Sequence, residues 1–170
     1  AMSPAKIDMF NMLLKEQAYF STLPDRTVDC AISRVAHEVW GPKTHARRED
    51  FHIQSMAIVL KGTARFVNDL GDWKLHAGSA FFFGPGHPHE VICGAREQIE
   101  IIITDFTGRR ASSLVVEAIG VTSAAASPEN ADLVIAGATH MFDVAQSGQP
   151  LAHKTCVHLL RALLLTVRAG

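Results

Sequence analysis

Apolar and polar positions alternate through the first two-thirds of the chain, and the period changes after Gly108. Val28, Cys30 and Ile32 fall on one face of a strand predicted over 28–40. Val35, His37 and Val39 follow after a break, and Gly41-Pro42 ends the strand. Phe51 to Leu60 and Thr63 to Val67 read as further strands, and the turn cluster Asn68 to Asp72 returns the chain through Trp73 and Leu75. Within Arg96 to Phe106, Ile99, Ile101 and Ile103 share one face while Glu100, Ile102 and Thr104 share the other. Many short strands divided by Gly/Pro turns predict a barrel or sandwich. Thr44 to Asp50 is polar and reads as a solvated loop, with one of Arg47 and Arg48 a candidate to turn inward and hold an anion or hydroxyls.

After Gly108 the spacing becomes helical. Ser112 to Ile119 predicts a short helix. A second starts at Ser127-Pro128-Glu129 and closes at Gly148, and a third runs from Pro150 to Arg168. On the third, Cys156, Val157, Leu159, Leu160, Leu163, Leu164 and Val167 cover an arc of roughly 160°, against roughly 100° for an ordinary surface helix. Val157, Leu160, Leu163, Leu164 and Val167 are therefore candidate contacts with a second copy, giving a homodimer. Stacking between two helices of the same chain is the alternative. At the other end, Met9, Phe10, Leu13 and Leu14 predict a short amphipathic helix or packed arm over Ile7 to Phe20, either patching the barrel or closing over a ligand. The expected layout is an N-terminal arm or helix over 1–27, a barrel over 28–110 and a helical dimerisation segment over 111–170, together one compact domain.

The stretch from Gly78 to Val91, GSAFFFGPGHPHEV, organises the barrel. Phe81, Phe82 and Phe83 lead into a Gly84-Pro85-Gly86 corner, where Gly allows positive φ and Pro fixes φ near −65°. His87 and His89 then open the next strand at the rim of a cavity. The candidate pocket residues are Phe51, Phe66, Trp73, Val91, Ile101 and Ile103 on the apolar side, with His52, His89 and an arginine (Arg47, or equally Arg48) as polar anchors.

Net charge is −1 over 170 residues, which argues against a nucleic-acid surface on this segment itself. No apolar run approaches the ~18 residues of a membrane span, and no secretory leader is visible. Cys30, Cys93 and Cys156 show no CxxC spacing and read as reduced core thiols in a cytoplasm. The nine histidines invite a metal reading, but only His52, His87 and His89 are placed to share one, and no His-x-His pair precedes Gly62. No GxSxG elbow or Cys–His arrangement is present, so no enzyme motif survives and no cofactor is expected.

Gly78, Gly86 and His89 have a spacing similar to the second motif of the cupin barrel, and Ile58-Val59-Leu60-Lys61-Gly62 resembles the strand and closing Gly of the first. In this sequence Ser55 stands where a metal-binding cupin would carry a Glu. Together with MFDVAQSGQPLAHKTCVHLLRALLLTVRAG, these stretches resemble the N-terminal regulatory half of AraC-type transcription regulators over most of the chain after about Arg47. The resemblance implies a mainly β fold with C-terminal helices: a cupin-like jelly-roll barrel followed by two or three α-helices. It also implies that the barrel senses a small-molecule effector, that the terminal helices dimerise, and that DNA is met only through a helix-turn-helix half outside this sequence. Val91, Ile101 and Ile103 point to a smaller or more apolar effector than a sugar. A stand-alone metal-dependent cupin enzyme, an isomerase or dioxygenase, is the rival reading.

Overall fold

The computed structural model describes residues 6–7, 12–20, 28–49 and 52–168. Eleven strands and three helices run in the order β1 (Lys6–Ile7), β2 (Met12–Tyr19), β3 (Ala31–Trp40), β4 (His45–Arg48), β5 (Gln54–Gly62), β6 (Ala64–Asn68), β7 (Gly71–Leu75), β8 (Ala80–Phe83), β9 (His89–Ile92), β10 (Ile99–Thr107), α1 (Ala111–Ile119), β11 (Ala124–Ala126), α2 (Ala131–Gln146) and α3 (Ala152–Arg168). The strands form two antiparallel sheets, ordered β1-β4-β9-β6-β7 and β11-β8-β5-β10-β3-β2. The sheets face each other as a cupin-like jelly-roll barrel, and the helices cover the outer face of the six-stranded sheet.

That sheet is apolar on both faces because its strands serve two cores. Ala36, Ala57, Val59, Phe81, Phe83, Ile99, Ile101 and Ile103 point between the sheets. Val35, Met56, Ile58, Phe82, Ile102 and Phe106 point the other way, against Val115 of α1, Val134, Met141 and Phe142 of α2, and Leu160 and Leu164 of α3. Successive residues of one strand take opposite sides, as the two-residue period requires.

A bulge in β3 sets which residues reach the barrel interior. Asp105 pairs with Arg34, yet Phe106 pairs with Ile32, so Ser33 is the extra residue. Ile32 and Val35 thereby fall on the helix side together, and Arg34, Ala36, Glu38 and Trp40 fall on the inner side.

Several expectations are corrected. Of the two readings for Ile7 to Phe20, an amphipathic helix or a packed arm, the helix is corrected: Met12–Tyr19 is strand β2, added to the sheet edge beside β3. The charged stretch 44–50, expected as a loop, contains β4, held between β1 and β9. The first long strand starts at Ala31, not Val28, and α2 starts at Ala131, three residues beyond Pro128. The α3 stripe is covered from within the chain: Leu160, Leu163, Leu164 and Val167 are buried in the core under α1 and α2, and Val157 is partly buried against it. A stripe of roughly 160° suits a helix with a sheet below and helices beside it, so its width does not mark a second copy.

Candidate functional site

Between the sheets, at the end marked by the His89 corner, lies a cavity of about 120 Å³. Two strand pairs place its walls. On the five-stranded sheet, Ala46 pairs with Val91 and Arg48 pairs with His89, and all four side chains face inward. Their alternates, Arg47 and Glu90, face outward, where Arg47 Nε lies 3.5 Å from Glu90 and its terminal nitrogen 3.1 Å from Glu49. The opposite wall comes from β3 and β10, with Arg34, Glu38, Trp40, Ile103 and Asp105. Ile53 and Phe83 complete the lining.

The charges around the cavity are unequal in how well they are held. Asp105 is fully engaged: Ser55 Oγ donates to its Oδ1 at 2.5 Å and Arg34 Nε donates to its Oδ2 at 2.8 Å. Arg34 also donates toward Gln17 Oε1 at 3.4 Å. Burial pulls the Arg34 pKa down, but the charge and hydrogen bond of Asp105, joined by Glu38, more than reverse it. Glu38 is 5 % exposed, and its nearest cation is the Arg34 terminal nitrogen at 3.8 Å. Burial raises its pKa, Arg34 opposes that and Asp105 adds to it. Arg48 is held below the ordinary guanidinium range by burial.

His89 is the most perturbed of the imidazoles. It is 5 % exposed, its ring lies 4.5 Å from that of Phe83 and 5.8 Å from that of Phe66, and burial pushes its pKa down to about 4. It is therefore neutral near pH 7.

The structure distributes the sequence-predicted site residues unevenly. His89, Val91 and Ile103 line the cavity together with Arg48. Arg47 lies outside it on the solvent side of β4. Phe66 and Ile101 are buried in the inter-sheet core, and Trp73 packs on Phe66 with ring centres 5.7 Å apart. His52 is exposed and not part of the lining, and Phe51 falls outside the described residues. His87 turns to Asp69, 2.9 Å away, so His52, His87 and His89 do not converge. Among the described residues no three His, Cys, Asp or Glu side chains gather as a metal-binding group. Arg34, Glu38, Trp40 and Asp105 were not anticipated. Parity was the available signal: a cavity-facing His89 puts its cross-strand partner inward, and the Ser33 bulge does the same for Arg34.

The three cysteines are buried free thiols, each pushed up to about 11 by burial. No helix among the described residues is long and apolar enough to cross a membrane.

No protein-family model matches the chain, and no curated protein matches it in sequence. Solved structures do match in fold. The AraC-like transcriptional activator CuxR superposes with a TM-score of 0.58 at 15 % identity, over 84 % of this chain and 52 % of that one. The chain thus spans about half the length of that activator. A cupin domain of an XRE-family transcriptional regulator from Enterobacter cloacae matches at TM-score 0.42 and 14 % identity, over 56 % of this chain and 95 % of that one. A predicted oxalate decarboxylase from Thermotoga maritima matches at 0.41 and 15 %, over 45 % and 68 %.

Proposed function

We propose that this chain is the small-molecule-sensing domain of a bacterial AraC-type transcription regulator, with the barrel cavity as the effector site. The observation that carries the reading is the extent of the CuxR likeness: it takes in 84 % of the chain, more than the barrel alone supplies. A cavity whose two walls combine apolar side chains with Arg34, Glu38, Arg48 and Asp105 supports it, because such a site can orient a small guest. The reading is of a binding protein rather than an enzyme, acting in the cytoplasm, and a homodimer would pair through a surface other than the buried α3 stripe. It meets DNA through a helix-turn-helix half encoded outside this sequence. A guest favours one arrangement of the helix layer only by the difference in its affinity for the two states.

Thermal unfolding against a panel of short alcohols, amides, acids and amines tests the site. A true effector raises the midpoint by mass action, and Val91→Trp, which fills the cavity, abolishes that rise. A rise that survives Val91→Trp removes the cavity from the reading. The regulator part rests on the reading frame past Gly170: two helix-turn-helix units there support it, and an unrelated catalytic domain overturns it.

A further inference from the structure

An open cleft of about 510 Å³ lies between the segment leading into β3 and one side of α3, and it shares no lining residue with the barrel cavity. Asp29 and Arg109 stand on one wall, and Lys154, His158 and Arg161 of α3 stand on the other. Backbone hydrogen bonds hold the walls in place. The Arg109 N–H donates to the Val28 carbonyl and the Arg110 N–H to that of Asp29, both at 2.9 Å. The Ile32 N–H donates to Nε2 of His153 at 3.1 Å, which ties the first turn of α3 to the sheet. The cleft is therefore formed before any guest arrives, and little ordering opposes binding.

Its charge is lopsided. A terminal nitrogen of Arg109 donates to Asp29 Oδ1 at 2.6 Å, so those two answer each other. Lys154 and Arg161 have no ion-pair partner among the described residues, and the Arg161 Nε is buried with no hydrogen-bond partner among them. A buried donor left unmet costs free energy, and an anion seated against it restores that loss. The first turn of α3 carries no acidic residue, so the positive end of the helix dipole adds to the same field.

Lys154 and Arg161 are seven residues apart, which puts them on one side of α3 and about 10 Å apart along its axis. Val157 lies between them, partly buried, and Val28 faces the cleft at 37 % exposure, so the middle is apolar. A single carboxylate serves one of the two cations well and the other poorly, whereas an anionic group at each end of a carbon chain serves both. We infer that this cleft binds a linear organic dianion of the dicarboxylate class, its ends on Lys154 and Arg161 and its apolar middle on Val157. This second site is independent of the barrel cavity.

Nuclear magnetic resonance of the backbone amides from 153 to 161 tests it, with adipate, suberate, hexanoate and chloride titrated at matched ionic strength. Adipate or suberate is expected to move these signals saturably at concentrations about tenfold below hexanoate. Lys154→Gln and Arg161→Gln are each expected to weaken the dicarboxylate about tenfold, to the level of hexanoate. Asp29→Asn, which removes the one carboxylate of the lining and releases Arg109, is expected to tighten it about threefold. Val91→Trp, which fills the barrel cavity, leaves it unchanged, so this site and the effector reading fail separately. Hexanoate matching the dicarboxylates overturns the proposal, as does binding indifferent to both glutamine variants or no saturable shift beyond that of chloride. A short DNA duplex moving the same signals at lower anion concentration than suberate also overturns it and makes the cleft a nucleic-acid contact.

Discussion

Asp105 on β10 stands directly opposite Arg34 on β3, and the Arg34 Nε donates to its Oδ2 at 2.8 Å inside the barrel wall. Removing one member strands the other in a poor dielectric. Asp105→Ala is expected to cost about 3 kcal/mol, whereas Asp105→Asn, which keeps an acceptor for Ser55 and Arg34, costs less. Urea midpoints for the three proteins check this, and an Asn variant at least as unstable as the Ala variant would sink it.

The burial of His89 makes stability depend on acid in a defined direction. Its folded pKa is about 4 against an ordinary 6.5, so between these values the unfolded chain takes up a proton that the folded chain refuses. Stability therefore falls as pH drops from about 6.5, and the full loss from this one group, about 3 kcal/mol, is reached below about pH 4. Denaturation curves from pH 7.5 to 4 should be steeper in pH for the wild type than for His89→Gln. Parallel pH dependences would show that the ring is not held neutral.

Leu160 sits at 0 % exposure between the helix layer and the six-stranded sheet. Leu160→Ala is expected to cost about 2–5 kcal/mol, and Leu160→Asp to prevent folding rather than to separate two folded copies. Circular dichroism read alongside sedimentation distinguishes these outcomes: a folded, monomeric Leu160→Asp protein would return this residue to an interface between copies.

Gly62 and Gly86 have nearly the same backbone, at φ +88° and +89°, but different surroundings. A Cβ on Gly86 meets open space, while one on Gly62 would lie 1.7 Å from the Gln98 carbonyl oxygen. Gly86→Ala is expected to cost only the left-handed strain, about 1–2 kcal/mol. Gly62→Ala must in addition push β5 away from the turn before β10 and should be clearly worse. Thermal midpoints rank them, and equal losses would mean that backbone conformation alone is being felt.

The corner from Gly78 to Val91 and the strand ending at Gly62 were legible because Gly, Pro and aromatic residues punctuate them locally. Three features were not. The apolar spacing of Met9, Phe10, Leu13 and Leu14 fits a helix, and the edge of β3, distant in sequence, makes the described part, Met12–Tyr19, a strand. The break between Ile32 and Val35 is the Ser33 bulge, but that the opposite face, with Arg34, Glu38 and Trp40, lines a cavity depends on where β10 and the second sheet lie. The charged run at Arg47-Arg48 looked solvated, although an alternating strand buries every second residue and sends Arg48 inward. The wide stripe of α3 was visible as apolar; what covers it depends on where α1 and α2 return, which no local pattern records.

The six-stranded sheet acts as a party wall. Ile103 touches the chamber and its neighbour Ile102 touches the helix layer, with one peptide bond between them. Interiors packed this tightly yield little, so on the effector-site reading a guest that pushes Ile103 or Trp40 would press on the helix layer through the sheet itself. The partition would then carry the signal.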